Sequence, residues 1–124
     1  MALQLDDNIR FGELLSEMIR GAGITQTHFY TQLKITKPYF YDILSGKAKP
    51  PPAEKQLAIV EILKPDIETQ KEFFESAARE RKEPPADIWQ YFIQHKELRD
   101  AIRRAKEKDI PDKEWKKLYI EGAK

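Results

Sequence analysis

The segment Gln26–Gly46 reads QTHFYTQLKITKPYFYDILSG and decides how this chain folds. The polar run Thr25-Gln26-Thr27 opens a short helix that continues through Leu33. Thr36 is the type of residue that caps a helix, and Pro38 then falls in the first turn, where a missing N–H costs nothing. The glycine at the end of the segment tolerates the left-handed backbone that a helix end needs. The segment therefore predicts two short helices joined by a turn of three or four residues.

Helical spacing of apolar residues extends to both sides of this segment. Before it, a first helix follows the polar residues Asp6-Asp7-Asn8, which can cap it, and ends at Gly21-Ala22-Gly23. After it, the proline-rich run Lys47–Pro52 forms a stiff, basic connector. No segment shows a convincing period of two, so the sequence predicts an all-α protein.

Two longer helices follow the connector. The first covers Ala53–Leu63, with Leu57, Val60 and Leu63 facing inward. The second is capped by Asp66, and it has five residues on one side: Ile67, Phe74, Ala77, Ala78 and Arg81. These two helices bring the predicted number in the first part of the chain to five.

The proline-containing run Lys82-Glu83-Pro84-Pro85 breaks the helical pattern, and the sequence predicts a boundary there. Residues 1–82 would form one domain, and residues 83–124 a C-terminal helical extension of three short helices. The last 36 residues hold five of the chain's 13 aromatic residues. Such a density needs a surface to pack on, whether the fifth helix, a second copy of the chain or another protein.

Composition excludes several classes of protein. The 124 residues contain no cysteine, which removes disulfide frameworks, zinc fingers and thiol catalysis. His28 and His95 stand far apart without ligand spacing, so no metal or cofactor is expected. No constellation of serine, histidine and aspartate indicates an enzyme. No apolar run reaches the roughly 20 residues of a membrane span, and Met1–Arg10 does not have the pattern of a signal peptide. The expectation is a soluble cytoplasmic protein.

The central segment resembles the helix-turn-helix of the Cro/CI-type phage repressors, the XRE family. Its buried apolar positions match Phe29, Leu33, Phe40 and Ile43, and its apolar turn residue matches Ile35. Ser45-Gly46-Lys47 followed by Pro51 resembles the family's ending. The resemblance covers Ile9–Leu63 and implies a five-helix, phage-repressor-like helix-turn-helix domain, to which the C-terminal helical extension is added.

Two positions depart from the family's pattern. The family usually has alanine where this chain has Tyr30, and it often has glycine where this chain has Lys34. Because helices two and three approach each other closely at the first position, Tyr30 is expected either to point outward or to push the helices apart.

The resemblance also implies that the chain binds double-stranded DNA, and it implies which residues make the contacts. The N-terminal residues of the third helix would reach base edges in the major groove, and the second helix would lie across the backbone. Lys37 would donate to guanine, Pro38 and Tyr39 would contact a thymine methyl, and Asp42 would accept from cytosine. The residues expected at the phosphate backbone are Gln26, Tyr41, Lys47 and Lys49.

The distribution of charge is consistent with this assignment. Net charge is only +1 over the whole chain, yet residues 34–55 hold five basic residues against two acidic ones. The five are Lys34, Lys37, Lys47, Lys49 and Lys55. A modest basic face suits a DNA-binding protein that acts as a dimer, because phosphate contacts add across two subunits.

The expected function is a sequence-specific DNA-binding regulator, a repressor that acts as a homodimer on a two-fold operator. Dimerisation is assigned to the fifth helix together with the extension, so deleting residues 84–124 should weaken both self-association and operator binding. Two alternatives remain open. One is an antitoxin whose C-terminal helices bind a toxin, and the other is a protein-binding helical module that has lost DNA binding.

Overall fold

The computed structural model describes residues 9–122 of the chain, and within them it is all-helical, as the sequence predicts. Eight helices follow one another in this part: α1 (Phe11–Ala22), α2 (Gln26–Leu33), α3 (Lys37–Ser45), α4 (Ala53–Leu63), α5 (Ile67–Arg81), α6 (Ala86–Gln94), α7 (Lys96–Glu107) and α8 (Asp112–Gly122). No helix of the described residues is both long and apolar enough to cross a membrane.

The ends of most helices follow from local sequence chemistry. The Thr36 hydroxyl accepts a hydrogen bond from the Tyr39 N–H at 3.3 Å, and an Asp66 carboxylate oxygen accepts one from the Thr69 N–H at 2.8 Å. Both caps are predicted from the sequence. The start of α1 differs, because its cap is Arg10, whose side chain makes no capping bond. The predicted cap Asp6-Asp7-Asn8 lies outside the described residues.

The contacts divide the chain into two units, Met1–Trp89 and Gln90–Lys124. The division falls inside α6, whereas the sequence placed the boundary after Lys82. The later position follows from packing, since Ala86 at the start of α6 lies against the core of the first unit.

The core of the first unit is built by one face of each of its five complete helices. α1 packs against α3, α4 and α5, while α2 packs against α3 and α4. The buried hydrophobic residues of this core are Phe11, Leu14, Leu15, Met18, Ile19, Phe29, Leu33, Phe40, Ile43, Ile59, Leu63, Phe73, Phe74 and Ala77. They include the four apolar residues that the sequence predicts as buried in α2 and α3.

One inward assignment, that of Leu57, is wrong, and Ile67 of α5 is also exposed. Leu57 is 45% exposed, because α4 turns Gln56 and Ile59 to the core instead. The Gln56 side chain donates to the Pro51 carbonyl at 2.8 Å, which fixes the rotation of that helix. Ile67 is 75% exposed, since it stands at the first position of α5 and Thr69 is the first residue of that helix to be buried.

The second unit has a different character. No residue of α6 or α7 is buried, and the described side chains of α8 are exposed or half-buried. The turn between α6 and α7 is stabilised by Arg99 of α7. Its guanidinium donates to the Phe92 carbonyl at 2.9 Å and to the Ile93 carbonyl, both at the end of α6. The Tyr91 and His95 rings stack with centroids 3.9 Å apart. Apolar side chains therefore remain on the surface of this unit.

Candidate nucleic-acid interface

Helices α2 and α3 are joined by the turn Lys34–Thr36 and held at a fixed angle by aromatic packing. The Phe29 ring of α2 lies 5.7 Å from the Phe40 ring of α3, centroid to centroid. Tyr30 adds a second contact to Phe40 at 5.4 Å. Tyr30 is half-buried against the core, so its ring fills the space between the two helices rather than pointing into solvent.

The turn itself requires an unusual backbone conformation. Lys34 closes α2 with φ at 63°, in the left-handed region that favours glycine. The Ile35 N–H then donates to the Tyr30 carbonyl at 3.1 Å, and the Ile35 side chain packs against the core. Together these two residues set the direction in which α3 leaves α2.

On its opposite side, α3 is braced by α1. Gly12 of α1 lies so close to the end of α3 that an added Cβ would stand 2.8 Å from the Ile43 carbonyl oxygen and closer still to that of Leu44. The Arg10 guanidinium lies beside Gly46, which closes α3, and a cation is favourable at that end of the helix dipole. The position of α3 is therefore determined from both sides.

The face of α3 that points away from the core carries several of the residues predicted to bind DNA. Lys37 and Pro38 are exposed at its N-terminus, and Tyr41 is 43% exposed one turn later. The Tyr41 hydroxyl donates to Oε1 of Gln26 at 3.0 Å. The structure thus brings together a residue from the start of α2 and one from the middle of α3, both predicted at the phosphate backbone.

Tyr39 and Asp42 are less accessible than the sequence suggests. Tyr39 is half-buried and packs against the core, on the side of α3 that faces inward. Asp42 is also half-buried, and its main-chain carbonyl accepts from the Ala48 N–H at 3.0 Å and from the Ser45 hydroxyl at 3.2 Å. Ser45 is exposed and lies on the outer face with Lys37 and Tyr41, although the sequence does not predict it to bind DNA.

The connector that carries Lys47 and Lys49 is fixed by three neighbours. Its start is tied to α3 through Ala48, and Gln56 of α4 holds the Pro51 carbonyl. The third neighbour is Arg81 at the end of α5, whose Nη1 donates to the Pro50 carbonyl at 2.8 Å. Both lysines are exposed, and the connector that carries them is held in place at these three points.

Arg81 is itself held in place by an acidic partner. Its Nε and Nη2 donate to the two carboxylate oxygens of Glu83 at 3.0 and 3.1 Å. This hydrogen-bonded pair raises the pKa of Arg81 and, with a smaller contribution from Lys49, lowers the pKa of Glu83. The role of Arg81 cannot be predicted from the sequence, because its partner Pro50 lies 31 residues away and no local pattern links them.

One of the five lysines of the basic stretch has a structural contact. The Lys55 ammonium donates to the Leu33 carbonyl at 2.9 Å, where it satisfies the C-terminal end of α2. The other four, Lys34, Lys37, Lys47 and Lys49, are exposed.

Within the described residues, no group of three or more histidine, cysteine, aspartate or glutamate side chains is arranged to hold a metal ion. Comparison with protein-family models, with curated proteins and with solved structures finds no match for this chain.

Proposed function

We propose that this chain is a sequence-specific regulator of transcription that binds double-stranded DNA through α2 and α3, in the manner of Cro/CI-type helix-turn-helix repressors. It would act as a cytoplasmic homodimer, without cofactor and without enzymatic activity. One observation carries the proposal: α3 is braced on its inner side while Lys37, Pro38 and Tyr41 are exposed on its outer side.

A braced helix with a polar outer face suits the major groove of B-DNA. The groove admits one α-helix, and base edges are read by side chains near the N-terminus of that helix. Lys37 occupies this position and can donate to guanine O6 and N7. Because α3 does not have to be ordered on binding, little conformational entropy is lost when the contacts form.

The phosphate contacts would come from elements that flank α3. Gln26 and Tyr41 are already hydrogen-bonded to each other, which orients the Gln26 side chain at the N-terminus of α2. Lys47 and Lys49 extend from an anchored connector. Contacts of this kind set register and orientation, and they make the affinity dependent on salt.

For the dimer contact, α5 offers Ile67, a large apolar side chain with 75% of its surface in water. A two-fold axis near this residue would cover it with the same residue of a second copy. The proposed dimer contact is therefore the fifth helix.

The test is the binding of the full chain to a duplex from around its own gene, followed over a range of salt, with a scrambled duplex as reference. We expect preference for the first duplex and a steep fall of affinity with salt. Lys37→Ala should cost about 1–3 kcal/mol of binding free energy on the specific duplex. Lys116→Ala, which removes an exposed lysine from α8, is the matched control and should change little.

Ile67→Asp extends the test to the dimer. It should lower both self-association, measured by sedimentation, and operator affinity, while the helical content stays unchanged because the side chain is exposed. Equal, weak binding to the two duplexes would refute the DNA-binding function. That outcome would favour the second candidate, a protein-binding helical module that has lost DNA binding, which the exposed apolar surface of α7 and α8 supports.

A further inference from the structure

We propose that a groove between α7 and α8 binds an acidic amphipathic helix of a partner protein. The groove encloses about 340 Å³. Its floor is apolar and is formed by Ala101, Ala105, Ile110, Trp115 and Leu118. Its rim carries Arg104, Lys108 and Glu114. This inference does not depend on DNA binding, since all of these residues belong to the second unit.

The floor of the groove is exposed to an extent that is unusual for large apolar side chains standing together. Leu118 has 65% of its surface in water, Ile110 has 38% and Trp115 has 36%. A contiguous apolar surface of this kind on a folded unit is typical of a site that another molecule covers.

The rim carries two cations whose charge no acidic residue of the rim neutralises. Arg104 and Lys108 are exposed and form no ion pair with a residue in the described part of the chain. The one acidic residue of the rim, Glu114, is already paired with Lys117 at 3.0 Å. Two uncompensated cations therefore flank the apolar floor, and carboxylates are the side chains that complement them.

The wider charge distribution agrees with an acidic ligand. Residues 90–124 hold ten basic residues and seven acidic ones, whereas residues 1–89 hold twelve basic and fourteen acidic. The excess of positive charge in the protein is thus carried by the second unit. It would raise the rate at which an acidic partner finds the groove.

The shape of the floor favours a helix as the ligand. Ala101 and Ala105 are one turn apart on α7, and Trp115 and Leu118 are one turn apart on α8. Two such rows form a channel into which leucine-like side chains at positions i, i+3, i+4 and i+7 of a third helix can insert. The small alanine side chains allow that helix to approach closely.

A second copy of this chain fits the groove poorly. In a two-fold interface both protomers use the same surface, so the Arg104 and Lys108 side chains of both protomers would be brought together in one interface. Like charges at an interface core are unfavourable, and Glu114 cannot compensate them while it is paired with Lys117.

The experiment uses the full chain in a Trp89→Phe background, so that Trp115 is the remaining tryptophan and reports binding by fluorescence. The probe is a synthetic helical peptide of about 15 residues with leucines on one face and glutamates beside them. A second peptide has lysines in place of the glutamates. We expect the acidic peptide to bind and the basic peptide not to bind.

Charge reversal in the groove supplies the specific control. Arg104→Glu combined with Lys108→Glu should reduce the affinity for the acidic peptide by about tenfold or more. Lys113→Glu combined with Lys116→Glu makes the same change of charge on α8 outside this groove and should reduce it less than threefold, roughly the effect of a charge outside the contact. Circular dichroism confirms that each variant keeps its helical content.

Three outcomes would overturn the proposal. The first is failure of the acidic peptide to bind, or equal binding of the two peptides. The second is loss of self-association in Leu118→Asp, measured by sedimentation, which would make a second copy the occupant. The third is binding of Trp115 to phosphatidylserine vesicles in competition with the peptide, which would indicate a lipid surface. DNA affinity measured on the same samples separates these outcomes from failure of the proposed DNA-binding function.

Discussion

Gly12 is the residue that allows α1 to approach the end of α3. An added Cβ at this position would stand 2.8 Å from the Ile43 carbonyl oxygen, nearer to that of Leu44, and 2.6 Å from the Arg10 guanidinium. Backbone oxygens cannot move without displacing α3, so Gly12→Ala should lower the free energy of unfolding by about 1–3 kcal/mol. Urea unfolding followed by circular dichroism measures this loss.

Gly21, in the same helix, provides the matched control. A Cβ added there meets nothing within 4 Å. Gly21→Ala should therefore raise stability by up to about 1 kcal/mol, because alanine loses less backbone entropy in a helix than glycine does. If the two variants changed stability in the same direction, the close approach of α1 and α3 would not be the cause.

The left-handed residues show how far single positions can be predicted. Gly23 and Gly46 end their helices with positive φ, as the sequence predicts. Three more helices, α2, α4 and α5, end on Lys34, Lys64 and Lys82 in the same conformation. Lysine does not mark such a position in a sequence, since its Cβ disfavours it. Packing of the following segment, such as Ile35 against the core, imposes the conformation instead.

At the scale of elements, the start of α5 makes stability depend on pH. The hydrogen bond from the Thr69 N–H lowers the pKa of Asp66, so the ionised carboxylate stabilises the fold above the usual pKa of aspartate. This contribution should be lost as the pH falls through the lowered pKa of the folded state. Asp66→Asn keeps a capping side chain but does not titrate. The stability difference between the two proteins should therefore shrink between about pH 7 and about pH 3, measured by urea unfolding. A difference independent of pH would contradict this assignment.

The connector between α3 and α4 depends on Arg81 of α5. Arg81→Met keeps the apolar stem but removes the donors to the Pro50 carbonyl and to Glu83. We expect a loss of about 1–2 kcal/mol in the free energy of unfolding. DNA affinity should fall several-fold as well, roughly 1 kcal/mol, since Lys47 and Lys49 lose their fixed position.

Arg79→Met is the control for this variant. Arg79 lies two residues earlier and pairs with Glu72 at 3.0 Å, with 42% of its side chain exposed. Its loss should change stability by no more than about 0.5 kcal/mol. Equal effects of the two substitutions would mean that Arg81 does not anchor the connector.

Helix positions were predicted more accurately than helix rotations. The sequence predicts the span Ala53–Leu63, and the structure has α4 over the same residues. Its prediction that Leu57 faces inward is wrong, because Leu57 and Ile59 are equally apolar and the structure buries Ile59 instead. The choice depends on hydrogen bonds from the neighbouring residues, Lys55 to the Leu33 carbonyl and Gln56 to the Pro51 carbonyl. Partners 22 residues apart along the chain leave no periodic signal.

For the whole molecule, the candidate interface also has features that the sequence predicts and features that it does not predict. The exposed positions Lys37, Pro38 and Tyr41 follow from helical periodicity, because Phe40 and Ile43 fix the inner side of α3. The contacts that brace the interface come from distant elements. One further example is Glu80 of α5, which accepts from the Phe11 N–H at the start of α1 at 2.7 Å. Contacts between residues so far apart in the sequence depend on how the helices pack, and no local pattern predicts them.

The division of the chain into two units can be tested by truncation. A chain ending at Trp89 keeps Glu83, which orients Arg81, and Ala86, which packs on the first core. It should unfold cooperatively and bind DNA as the first unit of the full chain does. A chain ending at Lys82 lacks both contacts and should be less stable by about 1–2 kcal/mol, because a charged hydrogen bond and apolar burial are lost together.

Urea unfolding of the two truncated chains, beside the full chain, distinguishes the two boundaries. Equal stability of the truncated chains would place the boundary after Lys82, where the prolines suggested it, and would remove the argument that α6 begins as part of the first unit. Loss of cooperative unfolding in the chain ending at Trp89 would show instead that α7 and α8 stabilise the first unit. A stable chain ending at Trp89 and a weakened one ending at Lys82 would leave α7 and α8 as a separate unit, as binding of a partner helix there requires.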